Sequence, residues 1–113
     1  MPHIIVEYAD DVFNQQGAKL FTDLLFVAVE ETGLFEPQNI KVRCHPVAVY
    51  KTAFNDKGFV HTQCRIHQGR SVDQKKTLTE AVTKVFKEME LSGCVVTAEV
   101  VDMDTASYNK FIG

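Results

Sequence analysis

Two positions carry the chemistry this sequence offers: a proline directly behind the initiator methionine, and an arginine just ahead of a helix start. Met1-Pro2 stands at the head of the apolar run His3-Ile4-Ile5-Val6. Removal of Met1 would leave a prolyl secondary amine, and an apolar surround favours its neutral form over the charged one. Such a nitrogen is a general base that needs neither histidine, carboxylate nor metal. Folding must pin it, since a chain end otherwise frays, and a strand begins immediately after Pro2.

Gly69-Arg70-Ser71 places a permanently charged fork beside the free N–H groups of a helix's first turn, which suits a carboxylate. Position alone leaves two readings open: an anion site, or a loop arginine that reaches a surface Asp or Glu. Cys44-His45 and the set His61, Cys64, His67 invite a metal reading, but strand parity sends neighbours, and residues three apart, to opposite faces. Cys44 and Cys64 fall on apolar faces, where reduced cysteine packs as a small hydrophobe. The histidines are read as structural, because no Asp or Glu stands at a spacing diagnostic of a dyad. No serine lies in a Gly-x-Ser-x-Gly turn. Phe13, Phe21, Phe26, Phe35 and Phe86 are expected in the core.

The elements that must position these groups follow from periodicity. Asp10 and Asp11 offer an N-cap to a first helix reaching Thr32, with Leu20, Leu24, Val27 and Ala28 at helical spacing and Gly33 as the stop. Gly17 weakens its beginning and allows a later start. Ile40 to Tyr50 alternates as a second strand, with Val42 and Cys44 on one side and Lys41, Arg43 and His45 on the other; Pro46 makes its far end an edge or a bend. A turn at Asn55-Asp56-Lys57-Gly58 leads to a third strand, Phe59 to His67, in which Val60, Thr62, Cys64 and Ile66 share a face. Ser71 and Gln74 form a capping box ahead of a second helix carrying Leu78, Ala81, Val82, Val85, Phe86 and Met89. Ser92-Gly93 ends it, and Cys94 to Val101 is a fourth strand.

Strand, helix, strand therefore occurs twice, over about 1–54 and 55–113, within one domain. The predicted class is α+β: two tandem βαβ units making a four-stranded mixed sheet with both helices on one face. The other face, carrying His3, Glu7, His61, Gln63, Arg65, Thr97 and Glu99, stays bare, and copies of the chain are expected to cover it.

The 113 residues include 45% hydrophobic and 24% charged residues with a net charge of −3, an ordinary globular balance without a nucleic-acid or membrane footprint. No secretory leader or membrane-length run is recognisable, and three cysteines are an odd count, so reduced thiols and a cytoplasmic location are expected.

Met-Pro-His-Ile-Ile-Val-Glu, Thr32-Gly33-Leu34-Phe35, Ile40-Lys41-Val42-Arg43-Cys44-His45, Phe59-Val60-His61 and Gly69-Arg70-Ser71, in this order, make the chain resemble the 5-carboxymethyl-2-hydroxymuconate isomerase family of the tautomerase superfamily. The resemblance covers nearly the whole chain. It implies a doubled βαβ fold assembled as a homotrimer and a cofactor-free, metal-free isomerase acting in aromatic-compound catabolism. Pro2 would move a proton along a conjugated 2-hydroxy-dienoate di- or tricarboxylic acid. Arg70 matches the family's arginine at the second helix and would hold a substrate carboxylate while stabilising charge that develops on the oxygens; Arg43 and Lys41, from the strand where the family has two arginines, are second-tier candidates for the other carboxylates. Lys41 keeps the charge but loses the fork. His67-Gln68 in place of smaller residues, and a tail ending at Gly113, are further departures; the tail is expected to help close a neighbouring subunit's site. Another superfamily activity on a different unsaturated acid, such as a general tautomerase or a hydrating dehalogenase, is the near alternative. A non-catalytic trimeric ligand-binding or interaction protein is the distant one.

Overall fold

A computed structural model describes residues 1–53 and 55–113. The residues alternate between core and surface from the first strand, β1 (His3–Ala9), where Ile4, Val6 and Tyr8 are buried and Glu7 is exposed. Helix α1 (Gln15–Glu31) follows, then one 3₁₀ turn at Pro37–Asn39, β2 (Lys41–Val47), β3 (Phe59–His67), α2 (Val72–Glu88) and β4 (Val95–Met103). The sheet order is β2-β1-β3-β4, with parallel outer pairs and an antiparallel central pair. This is the expected α+β architecture, with α1 and α2 packed against each other and the sheet. The two parallel pairs begin alike: Lys41 donates its N–H to the Pro2 carbonyl at 3.1 Å, and Val95 to the Gly58 carbonyl at 3.2 Å. The division of the chain after residue 54 falls at a position outside the described residues.

Strand β3 has the predicted bounds and face, with Val60, Thr62, Cys64 and Ile66 all buried. Helix α2 has the predicted capping box: Ser71 Oγ accepts from the Gln74 N–H at 3.1 Å, and Gln74 Oε1 from the Ser71 N–H at 2.9 Å. It buries Leu78, Val82 and Phe86, and ends at Glu88, before Ser92-Gly93, through a turn in which Glu90 has φ 56°. Strand β4 starts and ends slightly later than expected.

Helix α1 departs from the reading in two ways. Its N-cap is Asn14, whose Oδ1 accepts from the Gly17 N–H at 2.8 Å, while Asp11 instead accepts from the Tyr50 hydroxyl at 2.8 and 3.0 Å. Gly17 is thus in the first turn, where its entropic cost is small. The buried stripe is Ala18, Phe21, Leu25 and Val29, whereas Leu20 and Val27 are 52% and 50% exposed. Both stripes have helical spacing, and the aromatic one wins because Phe21 reaches Phe86 of α2 and Tyr8 of β1. Strand β2 stops at Val47 rather than Tyr50, its last carbonyl taken by the Asp10 N–H at 3.0 Å.

Phe13, Phe21 and Phe86 form one aromatic cluster under Tyr8, and Phe26 and Phe35 pack at its margin. Thr62 lies in this layer fully buried, its hydroxyl without a partner among the described residues. An unpaired buried hydroxyl costs about 1–3 kcal/mol, so the near-isosteric Thr62→Val should raise stability by about 1 kcal/mol. A urea midpoint equal to or below that of the unaltered protein would show that the hydroxyl has a partner.

Candidate active site

The parallel β1·β2 pair and the antiparallel β1·β3 pair bring the start of β1, the start of β2 and the end of β3 to one end of the sheet. Pro2 stands at that end, its ring fully buried on the helix side of a central strand. Its carbonyl accepts from the Lys41 N–H, which ties the residue to the start of β2. Beside it opens a cleft of about 490 Å³, lined among others by Met1, Asn39, Lys41, Tyr108 and Lys110. Met1 itself is in this space, and the Tyr108 hydroxyl donates to its sulfur at 2.9 Å. Burial first, and then the ammonium groups of Lys41 and Lys110, hold the Met1 amine below its usual pKa.

The sequence-predicted residues divide. Lys41 lines the cleft, its Nζ donating to the Asn39 carbonyl at 3.2 Å, while Pro2 lies behind the lining residue Met1 and meets Lys41 through the backbone. Arg43 is two residues further along β2 on the open face, where its Nη1 donates to His3 Nδ1 at 3.1 Å. A guanidinium only donates, so His3 must accept at Nδ1. Burial of His3, then the Arg43 charge, lowers its pKa in keeping with a neutral ring. Arg70 is half-buried outside the cleft lining. Its Nη2 donates to the Leu34 carbonyl at 2.6 Å, and its guanidinium lies 5.1 Å from the Phe35 ring centre. Through that bond Arg70 ties the start of α2 to the chain leaving α1, with its other guanidinium N–H groups left over.

Cys44 packs against the core and Cys64 is buried, as strand parity required. Burial pushes the Cys64 thiol up to about 12, so it stays a neutral core group. The histidines need one correction. His61 Nε2 is 2.6 Å from Glu99 Oε2 and Nδ1 is 2.7 Å from Thr97 Oγ1, a histidine–carboxylate pair assembled by the β3·β4 register rather than by sequence spacing. It lies on the open face beside Glu7, several residues from the Pro2 end of β1. Among the described residues no cluster of three His, Cys, Asp or Glu side chains could hold a metal.

The tail, expected from the sequence to help close a neighbouring subunit's site, makes its contacts within its own chain. His67 Nδ1 is 3.2 Å from Thr105 Oγ1, and its ring meets Tyr108 edge-on at 4.8 Å; Gln68 Oε1 accepts from the Thr105 N–H at 3.2 Å. These contacts fold residues after β4 back over the same chain's own Met1.

Two strand-helix-strand units joined in one four-stranded mixed sheet, with Pro2 buried at the head of a central strand, form the fold of the tautomerase superfamily. The model of one family, 5-carboxymethyl-2-hydroxymuconate isomerase, matches residues 2–103, and the chain belongs to that family of isomerases. A 5-carboxymethyl-2-hydroxymuconate isomerase from Deinococcus radiodurans R1 is similar in structure, with TM-score 0.78 and 25% identity over 99% of this chain and 90% of that one. Two further solved structures share the fold. A member of the cis-3-chloroacrylic acid dehalogenase family has TM-score 0.71 and 21% identity over 98% of this chain and 83% of its own. A fused 4-OT, described as a symmetric trimer, has TM-score 0.72 and 16% identity over 89% and 86%. No curated protein matches the chain.

Proposed function

We propose that this protein, once Met1 is removed, is a cofactor-independent isomerase of a conjugated 2-hydroxy-dienoate di- or tricarboxylic acid, with Pro2 as its base. The observation that supports this most directly is the seat of Pro2: buried at the start of a central strand, next to a cleft that carries Lys41 and Lys110. The environment that disfavours a charged Met1 amine would act on the prolyl amine in the same sense.

The neutral Pro2 nitrogen takes the proton of the 2-hydroxyl. As the C2–O bond becomes a carbonyl, the conjugated double bonds shift, and the same proton returns to a carbon further along the chain. Nothing is oxidised and no atom leaves. Lys41 would hold a carboxylate as a point charge. Arg70 would help only with N–H groups not taken by Leu34, and Arg43 only by leaving His3, so both are secondary to Lys41 as ligands. Copies of the chain would cover the open sheet face in a homotrimer, an assembly that the symmetric trimer among the fold relatives supports by analogy.

The test is an ultraviolet assay of 5-carboxymethyl-2-hydroxymuconate isomerisation on two preparations checked by intact mass, one beginning at Pro2 and one retaining Met1. Turnover is expected only from the first, since Met1 acylates the nitrogen and stands between it and the cleft, held there by the Tyr108 hydroxyl. Equal rates in the two would remove Pro2 from the mechanism. If the processed form leaves this acid at its uncatalysed rate but hydrates a halogenated acrylate, the activity is the dehalogenase-like one of a fold relative.

A further inference from the structure

The C-terminal tail brings to the cleft a second cation that the family comparison, which ends at residue 103, does not cover. Asn39 gathers both ammonium groups: its backbone carbonyl accepts from Lys41 Nζ at 3.2 Å, and its side-chain Oδ1 from Lys110 Nζ at 3.4 Å. Lys41 comes from the first residue of β2 and Lys110 from the tail, and both line the cleft together with Met1. Phe111 and Ile112 border the same cleft and are otherwise exposed, at 91% and 78%. A paired cationic rim with an apolar border matches an acid whose carboxylate lies next to a conjugated hydrocarbon chain.

Resting on the reading of Pro2 as the reactive amine, we propose that Lys110 is a specificity-determining residue. With Lys41 it seats one carboxylate of the acid substrate, and His67 and Gln68 position it by pinning the tail. The two departures from the family pattern are thereby one device: the bulkier His67-Gln68 pair holds the short tail over the chain's own amine. A single lysine at Lys41 lacks the two-pronged grip of an arginine, and the second ammonium supplies the missing donors from another element.

The experiment uses covalent labelling of processed protein, which reads the amine and the carboxylate seat without turnover. The probes are 2-oxo-3-pentynoate and its neutral analogue 3-pentyn-2-one, in which a methyl replaces the carboxylate. In each case the neutral amine adds to the triple bond, an N–C bond forms, and the displaced N–H proton moves to the adjacent carbon. Intact mass therefore rises by one reagent, and peptide mapping locates it at Pro2. We expect the acid to label faster than the ketone in unaltered protein. Lys110→Met should lower that acid-to-ketone ratio by about tenfold or more, the scale of one charge-assisted contact, through a weaker half-saturation concentration. Lys110→Arg should restore it. The double variant His67→Ala, Gln68→Ala should lower the ratio in the same direction with Lys110 still in place.

A ratio unchanged in Lys110→Met overturns the role of Lys110 while leaving Pro2 as the reactive amine. A parallel fall with both probes overturns it too, because Lys110 would then act on the amine and not on the carboxylate. Absence of Pro2 labelling by either probe in the unaltered, processed protein overturns the underlying reading of Pro2 and this one with it.

Discussion

Replacing Pro2 by Ala, in protein confirmed to begin at residue 2, is expected to lower kcat for dienol isomerisation by about 10²–10⁴-fold, the usual worth of a positioned general base. The substitution keeps an amino group, so the loss tests position as well as basicity. Pro2's ring is fully buried, and it fixes the direction of the nitrogen at the strand start. A primary amine on a smaller residue gains rotational freedom and leaves a void where the ring was packed. KM should change less than kcat, because Lys41 and Lys110 remain on the cleft. Circular dichroism matching that of unaltered protein would confine the effect to the site. Retention of more than about a tenth of kcat would mean that the pyrrolidine ring is dispensable, the proton being removed by the alanine amine or by another group.

The largest effect on stability is expected at Phe21. It is fully buried, with ring centres 5.5 Å from Tyr8, 4.9 Å from Phe13 and 5.3 Å from Phe86, so it joins α1 to β1 and to α2 at once. Phe21→Ala should cost about 3–5 kcal/mol, the range for truncating a buried aromatic residue to alanine. Against a domain's usual total of about 5–15 kcal/mol, that brings the protein close to unfolding at ambient temperature. Leu20→Ala, one residue along the same helix but half exposed, should cost far less. Urea melts at one fixed protein concentration would measure both, since assembly also contributes to apparent stability. Similar losses at the two positions would mean that the outer stripe of α1 is covered by a partner and buried in the working form.

What the sequence made legible was local. Helix α2 could be read because Ser71, Gln74 and the apolar repeat agree on its start and phase, and β3 because its alternation is strict. Helix α1 resisted because it is apolar on more than one side: periodicity finds a helix but leaves its rotation to be chosen by packing partners from α2 and β1. Its cap resisted because Asp10, Asp11 and Asn14 are all good capping residues, and only the turn after β1 decides among them. The His61–Glu99 pair depends on sheet register, and two residues 38 apart carry no local mark of it. Pro2 was legible as a candidate because it follows Met1 at the head of an apolar strand, and Lys41 only through the family resemblance. Lys110 could not, since the tail has no periodic element and reaches the cleft only through His67 and Gln68.

The matching starts of the two parallel pairs have a stoichiometric consequence. Gly58 stands before β3 as Pro2 stands before β1, and its carbonyl accepts from the first residue of β4 just as Pro2's does from the first residue of β2. Its nitrogen, however, is an amide, acylated by Lys57. A peptide has a single amino terminus, so joining two strand-helix-strand units in one chain doubles the strand starts and leaves one basic nitrogen between them. An assembly of n chains would hold n reactive amines over 2n such positions. At the other end of the sheet Val95 takes the place of Lys41, and Gly58, at φ 91°, sits where an added Cβ would come within 2.6 Å of Val12.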